Sequence, residues 1–501
     1  MKQLIHNGIL VPKYEPKDFH ITIRDKHIAL TPKQEEMALA WVKKLETDYV
    51  KDPVFVSNFF KDFRRALDLK EEIPPEEFDF QEIIDYVQKE KALKANMSKE
   101  EKKRLAEERK KIREANKEKY GYAIIDDERV EVASYMAEPS CIFMGRGKHP
   151  LRGSWKEGPK ENDIILNLSP DAPKPSGNWK KIVWYPDYMW IAKWDDKLRG
   201  KEKYVWLSDS YFLKQKSDIQ KFDKAWELNS GIEDVRKHIN QNLQSQDVLR
   251  RKVATVCYLI DVLKLRVGDE KDEDEADTVG ATTLRAEHIS FEANGLTKFD
   301  FLGKDAVRWE KEVKLPEVVV QNLKQFIAEP NSTIFNGVRS NNVTAFLNEV
   351  MPDLTAKVFR TYHASKVVKD YLGSAEVSPS DLDFAKKHVA TEANLQAAII
   401  CNHKRKTPKN WQDSLAKKKE RLKKLKEIKQ TESRQKAIKK LQLKIKETQE
   451  TKEYNLRTSL KSYIDPRVYY KWGKKVDFDW KLYYPKTFQR KFSWVESEKH
   501  T

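Results

Sequence analysis

The chain has 501 residues, with 96 Lys and Arg against 79 Asp and Glu, a formal net charge of +17 and 39% hydrophobic residues. At roughly 100–200 residues per domain, that length predicts several domains, and the apolar share is enough to build their cores. The positive excess favours a polyanionic partner through Coulomb attraction and counterion release, although ribosomal, histone-binding and membrane-surface proteins share such a balance.

Cys141, Cys257 and Cys401 lie far apart with no CxxC pair. They exclude a disulfide framework or zinc knuckle and predict reduced, packed thiols in an intracellular protein. No stretch approaches the ~18 apolar residues of a spanning helix. The opening MKQLIHNGILVPKYEP has no signal-peptide pattern, so a soluble protein is expected.

Residues 1–95 mix strand-like runs with amphipathic helices; in SNFFKDFRRAL, Phe59, Phe60 and Phe63 share one helical face. SKEEKKRLAEERKKIREANKEKYG predicts a helix largely in water, opened by a Ser98–Glu101 capping box and stopped at Gly121. Residues 122–211, with KKIVWYPDYMWIAKW and KYVWL, read as strands joined by turns. From 212 the pattern is helical. Leu249, Val253, Val256, Ile260 and Leu263 predict a buried helix running straight into Arg266.

TKFDFLGKDAVRWEKEV alternates on both sides of Gly303-Lys304-Asp305, which predicts a β-hairpin. A punctuated helix is expected from Thr355 to Gly373, and a longer one from about Ser380 with His403 near its end. Residues 412–457 carry a narrow apolar stripe in a Lys/Glu/Gln background, with a break at Thr431-Glu432-Ser433. They predict an antiparallel helical hairpin. Residues 458–501 return to aromatic-rich globular sequence containing SYIDPR. The acidic run GDEKDEDEAD lacks the mid-loop glycine and terminal Glu of an EF-hand and reads as a solvated loop. No HExxH, P-loop or Ser-His-Asp arrangement occurs, so no metal or cofactor is expected.

KLRVGDEKDEDEADTVG, FDFLGKDAVRW, AKVFRTYHAS, AAIICNHKR and TSLKSYIDPR resemble, in that order, the catalytic motifs of eukaryotic-type DNA topoisomerase I, the type IB family. NFFKDFRR, MSKEE, GRGKHP and the KY of KEKYVWL extend the resemblance into the first half. It implies ATP- and metal-independent relaxation of supercoiled DNA. Tyr463 would attack the scissile phosphate to give a 3′-phosphotyrosine. Arg266 and Arg360 would hold the non-bridging oxygens, His403 would donate a further hydrogen bond, and Lys304 would protonate the leaving 5′-oxygen.

The chemistry needs such groups. A phenol with a pKa near ~10 is neutral at pH 7 and needs cationic surroundings or a proton acceptor. The transition state gathers charge on phosphate oxygens that a planar, always-charged guanidinium fork matches. The resemblance also implies DNA contacts at Arg146, Lys203, Tyr204, Asp305 and Asn402. It places Ser462, with Arg146 and Asp305, at a camptothecin pocket, where the family usually has Asn in place of Ser462.

Singly, each residue has a plainer reading: a packing tyrosine, a surface ion-paired arginine, a satisfied helical histidine or a solvated turn lysine. GRGKHP is no dinucleotide fingerprint, because Pro150 replaces the third glycine. The expected fold is mixed α+β and multidomain: a bilobed clamp with an α/β cap, a mainly helical catalytic lobe and a helical-hairpin linker. The expected domains are a DNA-clamping cap at 1–211, a catalytic core at 212–406, the linker at 407–457 and a Tyr-bearing domain at 458–501. The expected partner is double-stranded DNA, bound by a monomer in the nucleus, or at a viral replication site or in the virion if the chain is virus-encoded. The alternatives are a tyrosine recombinase-like strand transferase and a catalytically inactive DNA-binding relative.

Overall fold

A computed structural model of the chain describes residues 1–268, 278–328, 333–428 and 431–497. It divides into two compact units, residues 1–211 and 212–501. Helices dominate, with several small sheets between them, which bears out the mixed α+β class. Among the described residues, no helix is long and apolar enough to cross a membrane.

In the first unit, helix α1 (Pro53–Ala66) buries Phe55, Phe59, Phe60 and Phe63, the face expected from the aromatic spacing. Asp52 caps it by accepting from the Val54 and Phe55 N–H groups. These rings pack with Trp41, Phe78 and Phe80 into one core. Helix α2 (Lys99–Tyr120) buries no residue and opens with the expected reciprocal Ser98–Glu101 cap. The helix stops at Gly121 as expected, with φ −83°. A Cβ there would lie 2.5 Å from the Lys117 carbonyl oxygen, so glycine is needed for close approach. A four-stranded sheet in the order Lys181–Val183, Ile165–Asn167, Trp190–Asp195, Glu202–Trp206 forms the second core of this unit with Leu4, Ile191 and Leu207. Cys141 is exposed, against the expectation of a packed thiol, while Cys257 and Cys401 are buried.

The second unit starts with the long helix α3 (Phe212–Asn242), which packs on α4 (Val248–Leu263) and on α5 (Ala356–Ser374). Val253, Val256, Ile260 and Leu263 are buried as expected, but Leu249 is 43% exposed because it lies in the first turn of α4. Helix α5 runs one residue past Gly373, where nothing packs against the glycine. The predicted hairpin is present: β1 (Thr297–Gly303) pairs antiparallel with β2 (Val307–Val313), and Lys304–Ala306 form the tip. Helix α6 (Asp383–Ile400) packs along α5. Helices α7 (Trp411–Glu427) and α8 (Glu432–Glu450) form an antiparallel pair with Leu415 and Ile445 buried. Short α9 (Leu456–Ser462) and α10 (Pro466–Val476) follow.

Candidate active site

Three of the five candidate catalytic residues stand just beyond helix C-termini, where the chain turns out of its helical path. Helix α4 does not run straight into Arg266. It stops at Leu263, and Lys264 adopts a left-handed φ of 58° that redirects the chain. Likewise His403 is not in the helix, contrary to expectation. Helix α6 ends at Ile400, and Asn402 takes φ 52°. The Asn402 N–H donates to Ile399 O at 3.0 Å and the His403 N–H to Ala398 O at 2.8 Å. This is a Schellman stop, in which the left-handed residue is followed by a fixed backbone direction. The asparagine explains the stop, since it tolerates φ > 0 better than most residues. Tyr463 is the C-cap of α9, its N–H bonded to Ser459 O at 2.9 Å.

Arg266 is positioned by its backbone. The Ala281 N–H donates to Arg266 O at 2.8 Å, and the Val279 N–H donates to Leu302 O at 2.7 Å, which links this segment to the hairpin below Lys304. The approach depends on two glycines. Gly268 has φ +118°, and a Cβ at Gly280 would lie 2.4 Å from the Gly268 Cα. Residues 269–277, which hold nearly all of the acidic run, lie outside the described residues.

Arg360 is buried on α5. Its Nη1 donates to Lys264 O, and its Nη2 donates to Cys401 O at 2.8 Å and approaches His403 Nε2 at 3.4 Å. Two carbonyls from the ends of α4 and α6 therefore hold this guanidinium in one plane. Arg360 Nε and His403 Nδ1 are buried and find no partner among the described residues. Buried polar groups are ordinarily satisfied, so these two are unspent hydrogen-bonding capacity.

Around Tyr463 the cationic groups close in. The Arg360 guanidinium carbon lies 5.1 Å from the Tyr463 ring centre and that of Arg266 6.0 Å, while the His403 ring centre is 5.1 Å away. Arg266, Arg360 and the exposed hairpin-tip Lys304 line two clefts of about 140 and 190 Å³. His403 and Asn402 line the first, and Tyr463 lines the second. Burial, then the charges of Arg360 and Arg266, push the His403 pKa down to about 3. The site is thus a cationic depression with a neutral imidazole in its wall, suited to a phosphodiester held beside a phenol.

The chain matches the family model described as eukaryotic DNA topoisomerase I, catalytic core, over residues 210–437, and that for the DNA binding fragment of the same enzyme over 1–207. A C-terminal topoisomerase domain model covers 435–501. It is 33% identical to human DNA topoisomerase 1 over 99% of this chain and 70% of the relative. The chain belongs to the eukaryotic DNA topoisomerase I family. It is also 34% identical to Arabidopsis thaliana DNA topoisomerase 1 beta and to Drosophila melanogaster DNA topoisomerase 1. It covers 99% and 98% of itself in those matches but only 58% and 54% of the relatives, so it spans little more than half their length.

The remaining candidates fall in different places in this family member. Arg146, Lys203 and Tyr204 belong to the first unit. Arg146 is exposed between Gly145 and Gly147, both with positive φ. Its loop is held by α1, where Asn58 Nδ2 donates to the Pro150 and Arg152 carbonyls at 2.8 Å each. Lys203 and Tyr204 stand on the Glu202–Trp206 strand, with Lys203 Nζ 3.9 Å from Glu138 and the Tyr204 hydroxyl bonded to Glu202. Ser462 is exposed at the end of α9, next to Tyr463. The Asp305 side chain lies outside the described residues.

Sequence reasoning missed the groups that hold the Tyr463 turn. Buried Asn394 on α6 donates to Leu456 O at 3.1 Å, and its Oδ1 accepts from Ser459 Oγ at 2.8 Å. Fully buried Asp465 accepts from Trp226 Nε1 at 2.7 Å and from Arg467 Nε at 2.9 Å, and it caps α10. The only cue in sequence was Asp465 before Pro466, an N-cap followed by proline at N1.

Proposed function

We propose that the protein is a type IB DNA topoisomerase that relaxes positive and negative supercoils by transient cleavage of one strand. The reading rests on one observation above all: two arginines and a neutral histidine surround the Tyr463 ring, beside a cleft carrying Lys304. The Tyr463 hydroxyl attacks the scissile phosphorus, and its proton passes to solvent as the phosphotyrosine bond forms. Arg266 and Arg360 stabilise the charge on the non-bridging oxygens, His403 donates one further hydrogen bond, and Lys304 gives a proton to the departing 5′-oxygen. The downstream duplex then rotates, and the 5′-hydroxyl attacks the phosphotyrosine to reseal the strand. The phosphodiester energy is kept in the covalent bond, so neither nucleotide nor metal is needed.

Double-stranded DNA is the partner, with Arg146, Lys203, Tyr204, Asp305 and Asn402 as contact residues, and binding chiefly through backbone phosphates gives weak sequence preference. The enzyme works as a monomer in the nucleus, and Ser462 and Asp305 border the camptothecin pocket. The helical pair α7–α8 serves as the linker to the Tyr463-bearing C-terminal domain. A plasmid-relaxation assay in EDTA without ATP tests the function. Wild type relaxes both signs of supercoil, and Tyr463→Phe binds DNA but forms no covalent adduct. A strict need for magnesium or ATP, or wild-type relaxation by Tyr463→Phe, rejects the mechanism. Relaxation by monomeric enzyme at unrelated sequences separates it from a site-specific recombinase.

A further inference from the structure

Helix α5 carries a second residue that bears on the nucleophile. Ser365 is 1% exposed and lies five positions after Arg360. Its Oγ donates to the Tyr463 carbonyl at 3.2 Å and accepts from the Asp465 N–H at 2.9 Å. One hydroxyl therefore satisfies a backbone group on each side of Ile464, which is itself fully buried. These two bonds fix the backbone of the turn on either side of Ile464 from α5, in addition to the side-chain bonds that Asn394 and Trp226 make to α9 and Asp465.

We infer that Ser365 is a positioning residue that sets the nucleophilic tyrosine against Arg360; this rests on the proposed strand-cleavage reading. Since Arg360 and Ser365 ride on one rigid helix, the guanidinium and the backbone of the Tyr463 turn share a single frame. The cationic site and the attacking oxygen then keep their spacing even if α9 and α10 move with the rest of the C-terminal segment. Removing the hydroxyl leaves a partly buried carbonyl and a buried N–H without this partner, and the turn shifts or admits water to satisfy them. A displacement of about 1 Å from in-line attack can lower a rate about 100-fold.

The test is single-turnover cleavage and religation on an oligonucleotide at saturating enzyme, where the rate constant reports folded, active molecules and the amplitude reports their number. Ser365→Ala is expected to lower both rate constants 10- to 100-fold with DNA affinity within threefold of wild type. Ser365→Thr, which keeps the hydroxyl, is expected within tenfold of wild type. A substrate with sulfur in place of the bridging 5′-oxygen removes the need for a leaving-group proton. It should restore cleavage by Lys304→Ala but not by Ser365→Ala, because the serine acts on attack. Rate constants for Ser365→Ala within threefold of wild type, or sulfur rescue equal to that of Lys304→Ala, overturn the inference. If the alanine variant does not fold, the same outcomes are read on Ser365→Cys. Failure of the underlying reading is distinct, since Tyr463→Phe would then still form the adduct.

Discussion

His403 is expected to act as a neutral hydrogen-bond donor, and the perturbation that tests this is the pair His403→Gln and His403→Ala. The imidazole is 7% exposed, and burial followed by the Arg360 and Arg266 charges pushes its pKa down to about 3. Charging it at pH 7 then costs about 5 kcal/mol, at about 1.4 kcal/mol per pH unit. A donor that never charges can be replaced by an amide of similar reach, so Gln should keep cleavage within about tenfold of wild type. Ala removes the donor and should lose about 100- to 1,000-fold, the range for one preorganised donor to a transition-state oxygen. The assay is single-turnover cleavage from pH 5 to 9. The wild-type profile should show no histidine titration in that window. A titration between pH 6 and 7 that disappears in the Gln variant would refute the reasoning, as would equal losses for Gln and Ala.

Asp465→Ala should cost about 3–5 kcal/mol of stability, because a fully buried carboxylate is removed, which leaves the Trp226 N–H without its acceptor and the Arg467 guanidinium with only part of its pairing. Denaturant unfolding should show the loss, and a change below 1 kcal/mol would count against the network. His6 donates from Nε2 to Asn167 O and accepts at Nδ1 from the Gly8 N–H, and burial lowers its pKa from 6.5 to about 4. A base with a depressed folded pKa contributes stability above its unfolded pKa and loses it on acidification. Stability of the first unit should therefore fall between pH 6.5 and 4 by up to about 3 kcal/mol, at about 1.4 kcal/mol per pH unit. His6→Gln should flatten that slope. Ser462→Asn should strengthen camptothecin-stabilised cleavage, because an amide offers a donor set that one hydroxyl lacks, worth about 1 kcal/mol or up to roughly tenfold. Equal drug trapping of both proteins across a titration would remove Ser462 from the pocket.

Elements that depend on local periodicity and punctuation are legible in the residues alone. The aromatic face of α1, the Ser98–Glu101 cap, the alternation on both sides of Gly303-Lys304-Asp305 and the paired helices broken at Thr431 all follow from residues within a few positions of each other. The order of the motifs likewise pointed to the family. Where helices stop and what their ends touch emerges only with packing. The His403 carbonyl beyond α6 accepts from the Asn455 N–H at 2.7 Å, and the Lys264 carbonyl at its left-handed turn accepts from Arg360 on α5, while α5 continues past Gly373 with nothing packed against it. Ser365, Asn394 and Asp465 look like ordinary polar residues in sequence. Each has a partner 60 or more positions away: Ser365 bonds Tyr463 at a separation of 98, Asn394 bonds Leu456 and Asp465 bonds Trp226. No local pattern encodes a bond of that span: it exists only once α5 and α6 pack together and bury the turn that carries the tyrosine.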